Sequence, residues 1–222
     1  MKKITILTTT KNSWFLDHTK ELLGELKKNK RNLVNFCQNQ NKIKKSDCTF
    51  ILSCDQILKK KNLTKSRFNI VIHGSNLPKG KGHSPWSWEI EKGKKNIFLS
   101  MFDINVKSQK FDDGKILLKK KIKLKGTELI NDIRKLIATN FIHMIKNFLK
   151  NYKSIRPKQQ KGKSTFFPKR TRENQKLNIN KTILENFNKL RVSDNIRYPA
   201  FFSYKGQEYI LKIYKKKLKI FK

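Results

Sequence analysis

Two short stretches of this sequence hold residue types that could move protons. The first runs Asn69-Ile-Val71-Ile-His73-Gly-Ser75-Asn76-Leu77-Pro78-Lys-Gly80-Lys-Gly82-His-Ser-Pro85, where a histidine ends an apolar run and opens a loop with three glycines and two prolines. The second is Asp112-Asp113-Gly114. An imidazole exchanges protons near neutral pH, and a carboxylate beside it orients the ring and stabilises its cation. Taken singly, each has a plainer reading. A histidine at a strand end is more often a satisfied structural residue, and Asp-Asp-Gly is most often a turn. Brought onto adjoining loops, the two would form an acid/base pair.

The surrounding patterns say what must position them. Lys3 to Thr9 is a short β-branched run suited to a buried parallel strand, and Asn32–Cys37, Cys48–Ser53 and Asn69–Ile72 read as further strands. Ser13 is expected to cap a helix carrying Phe15, Leu22, Leu23 and Leu26, which ends at the lysines 27, 28 and 30. Ile57 to Leu63 is a short helix or turn. Pro85 to Lys92 reads as a helix stopped by Gly93. Asn96–Met101 and Lys115–Leu124 are strands, and Thr127 is expected to cap a long helix with Ile130, Ile133, Ile137, Phe141 and Phe148 on one stripe. Strands alternating with helices predict an α/β fold: a Rossmann-like open, mostly parallel sheet with helices on both faces. Such sheets gather ligand chemistry outside the carboxyl ends of their strands, where His73 falls. From Arg156 to Lys163 the chain is polar and basic, which reads as a linker. A helix over Lys181–Arg191 and a hairpin turning at Lys205-Gly206 follow. The predicted division is residues 1–153 as one domain and 154–222 as a linker with a small C-terminal α+β extension.

Composition bounds the class. At 222 residues and 36% hydrophobic, the chain can bury a core. It has no apolar run long enough to span a membrane, and the segment after Lys2-Lys3 is too short for a signal peptide, so a cytoplasmic location is expected. Cys37, Cys48 and Cys54 lack metal-site spacing and read as free thiols; no metal is expected. The formal charge of +37 would ordinarily point to nucleic acid. Yet the cations are 45 Lys against 8 Arg, beside 21 Asn, 24 Ile and only 2 Ala. That bias follows AT-rich codons, and phosphate readers more often use arginine forks.

The first stretch resembles the family of formyltransferases that use 10-formyltetrahydrofolate, which includes methionyl-tRNA, glycinamide ribonucleotide and sugar N-formyltransferases. His73, Ser75, Leu77, Pro78, Gly82, Pro85, Gly93, Asp112 and Gly114 match the family's loop in order and spacing. Phe166-Phe-Pro168-Lys-Arg170-Thr171, Phe187 to Arg191 and Tyr198-Pro199-Ala200-Phe201 are similar to the segment that follows its catalytic domain.

The resemblance implies an enzyme in which an amine attacks a formyl carbon carried on folate. His73 would stabilise the developing oxyanion and shuttle a proton, and Asp112 would orient His73 and assist proton removal. Ser75, Leu77, Pro78, Gly80, Gly82, Met101, Asp113 and Gly114 would border the 10-formyltetrahydrofolate, the glycines allowing close backbone approach. Thr10, Lys11 and Asn12, at the end of the first strand, could meet an acceptor phosphate at a helix N-terminus. Trp86 and Trp88 could wall the pocket or pack in the core, and Arg170 and Arg172 could clamp an anion or cover a sheet edge. One position departs: Val71 stands where the family has an asparagine that donates to the formyl oxygen. Loss of such a donor costs roughly 10²–10³ in rate. Asn76 is the candidate replacement; Asn69 lies deeper.

The expected acceptor is a small-molecule primary amine, first of all on a nucleotide-linked sugar, because the chain ends about where the tRNA enzymes begin a C-terminal barrel. Initiator tRNA is the alternative within the same chemistry. A catalytically inactive, basic RNA- or anion-binding module is the alternative of another class. A homodimer stays open.

Overall fold

The computed structural model describes residues 2–104 and 112–216. Strand β1 (Lys2–Leu7) leads to helix α1 (Leu16–Lys27), strand β2 (Asn32–Cys37), strand β3 (Ser46–Ile51), the single-turn helix α2 (Lys60–Leu63) and strand β4 (Ser66–His73). β1 pairs in parallel with both β2 and β3, and β3 pairs in parallel with β4. Ile4 to Leu7 are buried on both sides of the sheet, as parallel strands covered on two faces require.

After β4 come a two-residue strand β5 (Lys81–Gly82), helix α3 (Pro85–Glu91), strand β6 (Asn96–Ile104), strand β7 (Gly114–Lys123) and the 22-residue helix α4 (Ile130–Asn151). β6 runs antiparallel to β4, and β7 antiparallel to β6. The sheet order is β2-β1-β3-β4-β6-β7. The chain leaves β1 toward one edge and returns on its other side, so the strand order reverses between β1 and β3. That reversal is where an open α/β sheet forms its crevice.

The two faces are covered unequally. Ile4, Ile6, Phe50 and Ile70 pack under α1, α3 and α4 through Phe15, Leu22, Ile90, Ile145 and Phe148. The opposite face holds a smaller cluster of Leu7, Ile51, Leu58 and Leu63 and a row of buried polar groups. There the hydroxyls of Thr5 and Ser46, and of Thr49 and Ser66, meet at 2.6 Å. Val71 and Asn69 lie on this face.

Two helix starts differ from the sequence reading. α1 begins at Leu16, and Ser13 caps the preceding turn instead, accepting from the Phe15 N–H. α4 begins at Ile130, past Thr127. The Glu128 carboxylate takes the Lys125 and Gly126 N–H groups, and Asp132 takes that of Leu129.

The stretch read as a linker is docked. Lys158 exchanges both backbone hydrogen bonds with Ile116 of β7, at 2.7 and 2.9 Å. Strand β8 (Phe166–Phe167) pairs in parallel with β5. Helix α5 (Ile183–Val192) is closed by a capping box between Thr182 and Glu185, and β9 (Ala200–Tyr204) and β10 (Gln207–Leu211) form the hairpin. Lys205 and Gly206 both have positive φ, the two-residue turn that matches strand twist. The extension is tied to α4 and the turn before it by buried ion pairs, Arg134 of α4 with Asp194 and Glu128 of the turn with Arg191. No helix among the described residues is long and apolar enough to cross a membrane.

Candidate active site

His73 is the last residue of β4, and Asp112 sits in the turn that enters β7. β4 and β7 both run antiparallel to β6 and so parallel to each other, and the two residues meet through the loop after β4, whose Gly82 N–H holds the Asp112 carboxylate. Nδ1 of His73 lies 3.3 Å from Oδ1 of Asp112, and their side chains are only 10% and 11% exposed. Nε2 of His73 donates to the Gly80 carbonyl at 2.8 Å; a carbonyl only accepts, so Nε2 carries a proton. The contact with Asp112 therefore needs one further proton, on Nδ1 or on the carboxyl. The two arrangements differ by one proton moved across 3.3 Å, a separation that catalytic contacts often tighten when substrate binds.

Asp112 is held in an uncommon backbone conformation, φ +48°, in the left-handed region. Its Oδ2 accepts from the Gly82 N–H at 2.8 Å, and its carbonyl accepts from Gln160 Nε2 at 2.9 Å. The same Nε2 reaches the Gly114 carbonyl at 3.1 Å.

A cavity of about 680 Å³ opens beside the pair. Thr10 to Trp14 after β1, Ser53 to Leu58 after β3, and His73 at the end of β4 all line it, so it occupies the crevice at the carboxyl ends of the parallel strands. Trp86, Phe102 and Phe141 give it apolar walls, and Arg134, Asp194, Arg197 and Tyr198 add polar and charged lining. Burial would push the Asp194 carboxyl up, but the Arg197 and Ile196 N–H groups and the Arg134 guanidinium outweigh it and hold it at about 2. Burial pushes the Cys54 thiol, also on the wall, up to about 11, so it stays protonated at neutral pH.

The residues singled out from sequence divide into two groups. Thr10, Lys11, Asn12, Val71, His73, Gly82, Asp112 and Asp113 line the cavity. Ser75, Leu77, Pro78, Gly80, Met101 and Gly114 stand behind it. Ser75 is fully buried and its carbonyl accepts from the Ser100 hydroxyl; Leu77 packs on Phe102 and Ile116; Met101 lies in the main core. Pro78 follows a cis peptide bond. The glycines admit protein rather than leave room for ligand. A Cβ on Gly82 would fall 2.3 Å from the Phe167 carbonyl oxygen, one on Gly80 2.9 Å from Ser75 Cβ, and one on Gly114 2.0 Å from the Asp103 carbonyl.

Asn76 is not brought to the pair. Its Oδ1 accepts from Lys119 Nζ at 2.6 Å, beside β7. Asn69 donates its amide to the Leu63 carbonyl at 2.9 Å. Trp86 packs against Trp14 and lines the cavity, whereas Trp88 stacks on Phe167 under Arg170. Arg170 pairs with Glu91 and also lines the cavity; Arg172 pairs with Glu208.

Sequence reasoning missed Gln160 and the polar and charged lining. Gln160 lies in a polar, lysine-rich run with no periodicity to mark it. Arg134 carried a signal: it shares the apolar stripe of α4 with Ile130, Ile137 and Phe141, and a charge on such a stripe needs a buried partner.

The sequence model of the family described as Formyl transferase matches residues 4–145. Methionyl-tRNA formyltransferase of Thermosipho melanesiensis is 31% identical over 150 residues, covering 68% of this chain and 48% of that protein. The chain thus spans about half the length of the curated relatives it matches. Among solved structures, methionyl-tRNA formyltransferase from Clostridium thermocellum superposes with a TM-score of 0.79 at 22% identity, over 98% of this chain and 94% of that one. HypX from Aquifex aeolicus in complex with tetrahydrofolic acid gives 0.76 at 16% identity, over 96% and 37%. A sugar N-formyltransferase from a Shewanella species gives 0.70 at 14% identity, over 99% and 100%. At these identities the structures share the fold.

Proposed function

The chain belongs to the formyl transferase family, and on that premise we propose that it moves a formyl group from 10-formyltetrahydrofolate to a primary amine. The observation that carries this reading is the His73–Asp112 contact on the wall of the crevice cavity.

The cavity suits the donor. Its volume lies within the range of small-molecule sites, and it sets apolar walls beside polar groups, as a flat heteroaromatic carrier with polar edges requires. Gly82, Phe102, Ile104 and Asp113 would hold that carrier next to the pair. When bound, it supplies an activated formyl carbon. As the amine nitrogen bonds to the formyl carbon, that carbon's bond to the carrier nitrogen breaks; Asp112 Oδ1 would take the proton the amine gives up, and a proton would return to the carrier nitrogen as it leaves. His73 would stabilise the charge developing at the formyl oxygen by turning its Nε2–H from the Gly80 carbonyl toward it, with Asp112 orienting the ring at Nδ1. Val71 adds no hydrogen bond, so the imidazole carries more of the oxyanion stabilisation than it would beside an amide.

The acceptor presents its amine from the side of Thr10, Lys11 and Asn12. Lys11 and Lys169 on the cavity wall favour a phosphate-bearing carrier. The methionyl end of an aminoacyl-tRNA is the first such acceptor, supported by the names of the curated relatives. A nucleotide-linked amino sugar is the second, supported by a cavity of about 680 Å³, within the range of small-molecule sites.

The test is incubation with 10-formyltetrahydrofolate and either methionyl initiator tRNA or a panel of amino-sugar nucleotides, with product mass as the readout. An N-formylated product in one arm names the acceptor. No formylated product in any arm, under conditions where an authentic relative works, overturns the reading.

A further inference from the structure

The segment read from sequence as a linker touches both loops of the candidate pair. On one side, Lys158 is laddered to Ile116, which fixes the register of Gln160 over the turn that carries Asp112. Gln160 Nε2 donates to the carbonyls of Asp112 and Gly114, at 2.9 and 3.1 Å. On the other side, the Thr165 hydroxyl accepts from the Gly80 N–H at 2.8 Å, and the Gly80 carbonyl in turn accepts from His73 Nε2. β8 then pairs with β5, and the Phe167 carbonyl accepts from the His83 N–H at 3.0 Å.

We infer that Gln160 is a positioning residue for the His73–Asp112 pair, with Thr165 a second, weaker one, so that the strap from Lys158 to Phe167 belongs to the active site. The physical argument starts at Asp112. A left-handed backbone at a non-glycine residue costs on the order of 1 kcal/mol and persists only where its surroundings over-determine it. Glycine would remove the strain but also the carboxylate. Among the described residues, two contacts hold it there: the Gly82 N–H on Oδ2 and the Gln160 amide on the main-chain carbonyl. Of these, only the Gln160 bond fixes the backbone itself. Without it the turn relaxes toward negative φ, and the carboxylate swings off Nδ1. Thr165 acts on the other partner, since the Gly80 peptide it holds is the one that sets the ring through Nε2. Thr165 is exposed, so water can replace its hydroxyl and its effect is smaller. Gly82 shows how tightly the strap is seated, because no side chain fits between it and Phe167.

The effect on rate rests on the proposed formyl transfer; the geometry does not, and the test separates them. Gln160→Met keeps the volume and removes the donor. Its kcat should fall about tenfold to a hundredfold, with the KM for the donor and the thermal midpoint near those of the parent. In full-length protein labelled at histidine nitrogen, the His73 Nδ1 resonance should shift in the direction given by Asp112→Asn. In the Asp112→Asn background, Gln160→Met should add no further shift and no further loss of rate. Thr165→Val should move the His73 Nε2 resonance and Thr165→Ser should not, which keeps the inference testable should Gln160→Met fold poorly. Unchanged His73 resonances in Gln160→Met and Thr165→Val overturn it, as does an equal loss of kcat in both backgrounds. A parent protein that transfers no formyl group, with the resonances shifting as described, refutes the function and leaves the positioning role standing.

Discussion

His73 Nδ1 and Asp112 Oδ1 face each other across 3.3 Å although one residue opens the loop after β4 and the other sits in the turn before β7. Their separate anchors, the Gly80 carbonyl for the ring and the Gly82 N–H for the carboxylate, lie two residues apart in one loop. A shift of that loop therefore moves both partners together.

The first prediction concerns this pair. Asp112→Asn keeps an oxygen for the Gly82 N–H and tolerates the left-handed backbone, so only the charge is lost. With His73→Ala it should lower kcat by about 10²–10⁴ while circular dichroism and the thermal midpoint stay near the parent's. Parent-like turnover in either purified variant contradicts the assignment.

Val71 gives a prediction of opposite sign. It faces the cavity from the polar-lined side of the sheet, packed near Leu77 and Phe102. Val71→Asn restores a donor at the family's position and should raise kcat about tenfold or more, at a stability cost of about 1–3 kcal/mol for a polar group set against apolar neighbours. Rates and denaturant midpoints measured together distinguish a gain in chemistry from a change in folded fraction.

Asn76 should matter little to the reaction. Its side chain meets Lys119, which also donates to the Leu77 carbonyl at 2.7 Å. Asn76→Ala is expected to change kcat by less than about threefold and stability by about 1 kcal/mol. A hundredfold loss of kcat would show that this amide reaches the formyl oxygen after all.

The Arg134–Asp194 pair tests the join between α4 and the C-terminal extension. Asp194→Ala leaves a buried guanidinium without its carboxylate and should cost about 3–5 kcal/mol, read as a lower urea midpoint. Because the Asp194 carboxyl is held at about 2, below its ordinary value of 3.8, its contribution is complete above pH 4 and is lost as the pH falls through 2. The difference between parent and variant should therefore shrink between pH 4 and pH 2. A constant difference across that window refutes the assignment.

Asp103 behaves in the reverse sense. Burial lifts its carboxyl to about 6 from an ordinary 3.8, against hydrogen bonds from the Asn69 and Ile104 N–H groups. The folded state favours the neutral form, so ionisation weakens the protein as the pH rises from 4 through 6. Asp103→Asn retains the acceptor for Asn69 and removes the charge. It should stabilise the protein by about 1–2 kcal/mol at pH 8 and by nearly nothing at pH 4, in paired thermal melts.

Local patterns carried much of the architecture. The run Asn32–Cys37 begins and ends as read, because polar residues bound the apolar Leu33, Val34, Phe36 and Cys37, and Gly206 marks the hairpin turn because glycine adopts positive φ readily. Helix starts were less legible. Near Thr127 the Asp132 carboxylate takes the Leu129 N–H, and the Ser13 hydroxyl is used on the Phe15 N–H before α1 begins, local choices that the residue types alone do not settle. His73 and Asp112 were legible through their loop context. The direction of Asn76 was not, because it depends on the path of a loop pinned from β7. Gln160 was illegible for a stronger reason: its role is one amide meeting two main-chain carbonyls, and that depends on register against a strand more than forty residues earlier.

Strand β7 forms one border of the sheet and carries five lysines in Gly114–Lys123. A border strand offers unpaired peptide groups that invite another molecule's strand to add on, and charged side chains are a common defence. Among the described residues, Lys158 pairs with this border at Ile116. The remaining ammonium groups make stacking of one sheet against the next electrostatically unfavourable. Lysines along this border therefore have a physical use, disfavouring strand addition, that calls for no anionic partner.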